Sequence, residues 1–576
     1  DYDDHGQWFF TNNVINHLWH VVPGAHYERM FGDDFNPHLY QLITPTADHF
    51  HWDTLGAAGD TGNKNRKKYD GRHDHYGGGH SHAGGMIYLG GSWPDRYRGA
   101  MLMCNTHGRR VNMDVLAREG NSYVGRHAPD FLLANNEWFR GVELKYGPSG
   151  SVYLTDWSDL GECHDRDGVH RSSGRIYKII YRDDRDRLTD YGGDLAELDS
   201  LQLARLQLDP NDWYVRHSRR LLQERASAGD DLSKATERLL EIFSTNEDVT
   251  RRLRAMWALY SIGELSDKWL LKRLRDPSEH IRVWAIRFLV DHREPNGDVV
   301  AGLSNLAEGE TSGLVRLFLA SAMQRLNHAD RWRVAFPLAE VVEDAHDRVQ
   351  PLMIWYGIEP VVSFFQDEAL RIAKTTPFPL LRRHIARRLA YDLDEKPEPV
   401  SRLIKLATES KREYAIDYLR GISDALRGRS RVQALESWTR SLESLGTDGN
   451  PELRLLCREL AIVFGDGRAM DDLVAIVMDK SADPSSRRDA LRLVVESRPD
   501  GFDRSLLALK SDRVVGGEAI RGLSRYENSQ VPNILLGMFG NAKHDHRPAI
   551  IETLASRPSY ALALLKAVEI GTVDRN

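Results

Sequence analysis

From about residue 196 onward, apolar residues recur with the period of a helix, and the helices themselves recur. In Ile281, Trp284, Ala285, Phe288 and Leu289 the spacing is that of one face of an α-helix, and Leu314, Leu317, Phe318 and Ala322 repeat it. The lead-in repeats as well: Asp209-Pro210 precedes Val215-Arg216, Asp276-Pro277 precedes Ile281-Arg282-Val283, and Asp483-Pro484 precedes Arg487-Arg488. Taking Val215, Leu253, Val283, Val315, Val349, Leu381, Leu453 and Arg487 as equivalent points gives steps of 30 to 38 residues, with one doubled step of 72. A helical unit of that length cannot bury its apolar face alone and must stack on its neighbours, so residues 196–576 are predicted to form an α-α superhelical solenoid.

The low-thirties period, the Asp-Pro turn and the Arg in the following helix resemble HEAT-type repeats of the short variety. Asp suits the turn, and Pro suits the first helical position because the N–H it lacks would be orphaned there anyway. Arrays of this kind bind partners or space domains and carry no chemistry of their own, so a protein partner on the solenoid is expected.

Before residue 190 the grammar differs. Fifteen of the 23 histidines lie there, and the segments are short and strand-like: Met86 to Leu89, Ala100 to Cys104, Gly141 to Tyr146, Ser151 to Thr155 and Gly174 to Ile180. Tyr146-Gly147-Pro148-Ser149-Gly150-Ser151 separates two of them with turn chemistry, which predicts a hairpin. Strands recurring with Gly and aromatic punctuation suggest a sandwich, a barrel or propeller blades. Residues 1–181 suffice for about four blades at most at 40–50 residues per blade, and residues 182–195, rich in Asp, Arg and Gly, read as the linker.

Several classes are disfavoured. Seventy-seven Lys and Arg stand against 84 Asp and Glu, a net charge of -7, which argues against a protein built to coat phosphate backbones. Arg382-Arg383 and Arg387-Arg388 read as a solvated helix face, so no nucleic-acid partner is assigned. No run approaches the roughly 20 apolar residues of a membrane span. Cys104, Cys163 and Cys457 are too dispersed for a disulfide framework, and Cys-x-x-Cys-His is absent, so no haem motif is present. The chain opens on Asp1 without a leader pattern; it reads as a piece, with any export signal upstream.

The densest chemistry-bearing run is His73-Asp74-His75, followed after three glycines by His80-Ser81-His82; His49-Phe50-His51 repeats the spacing. Alternating histidines on a strand share a face, but no Cys or Glu stands at a familiar zinc interval, so no metal site is assigned. His49, His51, His73 and His75 read as loop histidines satisfied by backbone hydrogen bonds. His107-Gly108-Arg109-Arg110 and Trp138-Phe139-Arg140 place arginine beside aromatics, which suits either a planar anionic ligand or a salt-bridged rim. Asp156 reads as a turn-holding carboxylate, and Glu162-Cys163-His164 lacks a third group to orient a nucleophile.

These residues also carry a resemblance. His80 to Tyr88, Trp93 to Gly99 and His107-Gly108-Arg109 resemble the fifth blade of soluble quinoprotein sugar dehydrogenases, and Phe139 to Val142, Tyr146 to Tyr153 and Gly174 to Ile179 resemble their last blade. Val22-Pro23-Gly24-Ala25-His26-Tyr27 is similar to a corner of the fourth. Overall the chain resembles the membrane-bound-dehydrogenase-like proteins, in which such a propeller precedes HEAT repeats. The resemblance implies a multidomain β + α architecture: a partial six-bladed-type β-propeller over 1–181, holding the last three to four blades, then the HEAT-like solenoid.

It also implies pyrroloquinoline quinone and calcium as cofactors, His80, His82, His107, Arg109 and Arg140 as cofactor-binding residues, and a sugar or alcohol as substrate. Electrons would pass to a c-type cytochrome module or protein, in a periplasmic or otherwise exported bacterial setting. The family's proton-abstracting histidine lies on an early blade that this chain does not span, and its calcium-binding Gly-Pro loop is shortened to Thr11-Asn12-Asn13-Val14-Ile15-Asn16. The chain alone is therefore expected to lack the catalytic base. Two readings stand: a fragment of an exported quinoprotein-like dehydrogenase, or a non-catalytic carbohydrate- or protein-binding propeller/solenoid scaffold.

Overall fold

A computed structural model of the chain describes residues 1–13, 17–30, 32, 34–49, 81–160, 172–181, 193–291, 294–429, 432, 436–464, 467–542 and 546–573. Strands come first and a long series of helices follows. The strands are β1 (Trp8–Thr11), β2 (Leu18–Val21), β3 (His82–Ile87), β4 (Met101–Asn105), β5 (Arg110–Glu119), β6 (Ser122–Leu133), β7 (Gly141–Tyr146), β8 (Val152–Asp156) and β9 (Arg175–Ile179). Among the described residues they form three antiparallel sheets with neighbours in chain order: β1-β2, β3-β4-β5-β6 and β7-β8-β9.

The predicted hairpin joins β7 to β8. Gly147 N–H donates to Ser151 O at 3.0 Å, and Gly150, at φ +70°, donates to Gly147 O at 2.8 Å. The Gly84-Gly85 pair has an equally local cause. Gly84 sits at φ +60° in a bulge of β3, and a Cβ there would lie 2.5 Å from the Glu143 Cα. Only glycine lets β3 approach β7 that closely.

The helices fall into two compact units: residues 1–361 with 375–378, and residues 362–374 with 379–576. The change of grammar near residue 190 is thus a change of secondary structure inside the first unit. Of the sequence-predicted linker, residues 182–192 lie outside the described residues; Asp194 caps a short 3-10 turn, Leu195–Glu197.

Within the first unit, four alternate helices each bond to successive parts of residues 1–46. Val249–Ser261 brings Arg254, fully buried, to Asp4 at 3.1 Å. Glu279–Leu289 brings Trp284 Nε1 to His5 O at 2.8 Å. From Gly313–Ala322, Ser321 donates to Pro23 O at 2.6 Å, and Gln324, just beyond it, to Gly24 O at 2.8 Å. Gln350–Val362 brings Trp355 Nε1 to His38 O and Tyr356 OH to Gln41 O, while the neighbouring Arg348 reaches Pro45 O and Thr46. Most of the acceptors are backbone carbonyls, so the helices supply hydrogen bonds to stretches of residues 1–46 that lie outside β1 and β2.

The repeat's sequence signature has a physical purpose. Arg252 meets Asp276 at 2.6 Å, Arg282 meets Glu310 at 2.7 Å and Arg316 meets Asp344 at 2.6 Å; in the second unit Arg382 meets Asp417 at 2.7 Å and Arg487 meets Asp512 at 2.9 Å. Each arginine ties its helix to a carboxylate 24 to 35 residues on. Arg382 is buried, not on a solvated face as the sequence suggested, because its guanidinium also stacks on Tyr414 at 3.6 Å. The Asp-Pro turns divide. Asp483 caps Pro484–Ser497 with Pro at the first helical position, as predicted. Pro210 and Pro277 instead precede capping residues Asn211 and Ser278, whose N–H groups Asp209 and Asp276 accept in side-chain turns.

Candidate functional site

The β-region gathers its histidines around one carboxylate. Asp114 lies in β5, where Asn112 and Asp114 alternate with Val111 and Met113, and all four are buried. Its cross-strand partner on β6 is His127. His17 Nε2 lies 2.9 Å from one Asp114 oxygen; His49 Nε2 lies 3.3 Å from the other, and His127 Nδ1 lies 3.7 Å from that same oxygen. The side chains of His17 and Asp114 are fully buried and that of His49 is 5% exposed. The His17 and His82 rings are centred 5.2 Å apart.

The backbone holds these donors in place. Thr46 N–H donates to Leu18 O at 2.9 Å, Gly125 N–H to Thr46 O at 3.2 Å and Asp48 N–H to Gly125 O at 3.1 Å. His17 and His49 are thereby pinned to either side of Gly125, where a side chain would collide with Leu18. Behind Asp114, Asn105 donates to Asn112 at 3.0 Å, Asn112 to Asp130 at 2.7 Å and Arg110 to Asp130 at 2.8 Å. Burial opposes charging of His49, but its bonds to Asp114 and Asp48 win and raise its pKa above the ordinary histidine value. Two imidazoles and a carboxylate this close can share protons or surround a small cation. The donor atoms of His17, His49 and Asp114 all lie within 4.8 Å of one another, a grouping that the spacing of the histidines in the sequence does not disclose.

His49 is likewise not a backbone-satisfied loop histidine, because its ring bonds to two side-chain carboxylates. His51, His73, His75 and the expected cofactor contact His80 lie outside the described residues, as do Glu162, Cys163 and His164. His82 joins the histidine cluster from the start of β3. His107 and Arg109 occupy the β4–β5 turn, where Arg109 is exposed with φ +54°. Arg140 is buried, and its guanidinium donates to Glu137 O, Phe139 O and Leu160 O at 2.7–3.0 Å. That geometry clamps a loop. Asp156 is structural as read from the sequence: one oxygen accepts from Arg140 N and Ser158 N, and the other pairs with Arg175.

The cluster carried a faint signal that spacing rules miss. A strand in which Asn and Asp alternate with apolar residues, facing His on the next strand, points a carboxylate inward. Its partners at 17, 49 and 82 come from distant segments.

Residues 1–183 match a family described as a domain of unknown function (DUF7133). No curated protein matches the chain. Among solved structures it is similar to the crystal structure of Kap121p, at 11% identity and a TM-score of 0.46, covering 64% of this chain and 46% of that one. It is also similar to importin beta in an ammonium sulfate condition, at 10% identity and a TM-score of 0.26, covering 65% and 62%. A third similarity is to a homology model of the full-length AP-3 complex in an intermediate open conformation, at 11% identity and a TM-score of 0.26, covering 66% and 86%. The chain spans less than two thirds of the Kap121p and importin beta chains.

Proposed function

We propose that the chain is a non-catalytic scaffold: the first helical repeats hold the β-region rigidly, and the repeats of residues 379–576 dock a protein partner. The observation that carries this reading is the row of bonds from Arg254, Trp284, Ser321 and Trp355 to residues 4–38. A helical array that already grips its own N-terminal segment acts as a mount for it. The second unit offers repeats of the same kind for another protein. In this reading the three sheets are blades of a propeller whose remaining blades lie elsewhere, and the meander order of β3-β4-β5-β6 suits a four-stranded blade.

Cross-linking mass spectrometry on the protein isolated with its native partners tests it. Partner cross-links should concentrate on Lys405, Lys411, Lys480, Lys510 and Lys566 of the second unit. Cross-links confined to Lys234, Lys268 and Lys272 would contradict the assignment. The carbohydrate variant of this reading has one supporting feature, the 63% exposed Trp157, and a glycan array comparing the chain with Trp157→Ala tests it.

The blade motifs support a second reading, an exported sugar or alcohol dehydrogenase using pyrroloquinoline quinone and calcium. When bound, that quinone would supply the hydride acceptor. The described residues do not fit the pair. Of the two arginines expected near the quinone, Arg109 is exposed in the β4–β5 turn and Arg140 is committed to three carbonyl oxygens, and calcium prefers six to eight oxygen donors over imidazoles. Dye reduction by the complete protein with both cofactors, over a panel of sugars and alcohols, would revive this reading, and the scaffold account expects none.

A further inference from the structure

We propose that His17, His49, Asp114 and His127 bind one divalent transition-metal ion of the zinc type, which ties four separate segments of the β-region together. The proposal is independent of whether the chain is a scaffold or an enzyme. It begins from geometry. Zinc bonds to nitrogen and carboxylate oxygen are about 2.0–2.2 Å, which puts neighbouring donors of a tetrahedral site about 3.3 Å apart. His17 Nε2 lies 2.9 Å from one Asp114 oxygen, and His49 Nε2 and His127 Nδ1 lie 3.3 and 3.7 Å from the other; His17, His49 and Asp114 form the tight group, and His127 is the outermost donor.

The donor chemistry selects the ion. Three imidazoles and one carboxylate suit Zn²⁺ and its first-row neighbours, whereas Ca²⁺ and Mg²⁺ take nearly all-oxygen shells. Electrostatics allow it, because a divalent ion would balance the buried Asp114 carboxylate in place of a protonated imidazole. The site is also built to stay put. His17 leads into β2 and His49 follows Asp48, both fixed by backbone bonds around Gly125, while Asp114 and His127 face each other across β5 and β6. The Asn105–Asn112–Asp130–Arg110 chain runs across β4, β5 and β6, and Asp130 lies 4.0 Å from His127 Nε2. Metal-bound histidines commonly lean on such outer carboxylates. The full burial of the His17 and Asp114 side chains suits a structural role.

The experiment uses the untagged full chain. Elemental analysis after purification without added metal should find one zinc-class ion per chain. After chelation, Co²⁺ should rebind with the intense visible bands of a four-coordinate nitrogen-oxygen site, and Zn²⁺ but not Ca²⁺ should displace it. His49→Gln should abolish stoichiometric binding, His127→Gln should weaken it by about 10- to 100-fold or more, and His217→Gln, on a helix elsewhere, should leave it unchanged. The Co²⁺ spectrum of the wild type decides the matter even if a variant fails to fold. A wild-type chain that binds no stoichiometric ion, gives only the weak bands of six-coordinate Co²⁺, releases it to Ca²⁺, or keeps its metal in a folded His49→Gln variant would overturn the proposal.

Discussion

Replacing Arg254 with Met should loosen the β-region from the helices that hold it. Arg254 has no exposed side-chain surface; it donates to Asp209 O at 2.8 Å and lies 3.1 Å from both Asp4 and Asp212. Removing one member of a buried ion pair costs about 3–5 kcal/mol, because the remaining charge stays buried. Here the cost should fall near the lower limit, since Asp4 keeps Arg98 at 2.8 Å and Asp212 keeps Arg216 at 2.6 Å. About 3 kcal/mol corresponds to roughly 100-fold more frequent opening at tenfold per 1.4 kcal/mol. Amide hydrogen exchange reads this directly. The Gly6 and Phe9 amides, bonded to Asp3 O and Asp1 O, should exchange about 100-fold faster. Amides of β5 and β6 should change far less. If Gly6 and Phe9 exchange as in the wild type, the bonds of Arg254 do not hold the segment and the mount is wrongly identified.

Acid should destabilise the first unit through His20, which burial and then Arg118, Arg287 and Arg348 hold down at about 3. Because the folded value lies below the ordinary 6.5, the unfolded chain binds the extra proton; stability is full above pH 6.5 and falls toward pH 3 at up to about 1.4 kcal/mol per pH unit. Urea midpoints against pH should show that slope reduced in His20→Asn. Gly84→Ala should cost at least about 1–3 kcal/mol from the positive φ alone, with further loss from overlap with Glu143, read as a lower melting temperature of the first unit. Arg382→Met should destabilise the second unit by about 3 kcal/mol through the loss of the Asp417 bond, while retention on immobilised polynucleotide stays that of the wild type.

Local chemistry was legible in the sequence and long-range pairing was not. The β7–β8 hairpin follows from Gly147, Pro148 and Gly150, and the cap of Pro484–Ser497 from Asp483, since each depends on neighbours a few residues away. The repeat period gave the helices, but not that Arg282 reaches Glu310 or that Arg382 is buried. Arg140 beside Trp138 and Phe139 reads alike whether its guanidinium meets an anion or carbonyl oxygens; only the path of the loop through Glu137 and Leu160 decides. Arg254 and Asp4 stand 250 residues apart, and His17 and Asp114 97 apart. No spacing rule spans such distances, so both the mount and the histidine cluster emerged only with the fold.

The central claim is that residues 1–46 lie along the first repeats as part of one folded unit. Asn36 Nδ2 donates to Glu359 at 2.8 Å across 323 residues of sequence, so this pair tests it most directly. A chain carrying Asn36→Cys and Glu359→Cys, treated with a short thiol-to-thiol cross-linker, should form an intramolecular bridge between those positions in high yield, abolished in either single variant. A double variant that labels at both sites yet never bridges, or bridges only between chains, would contradict the account.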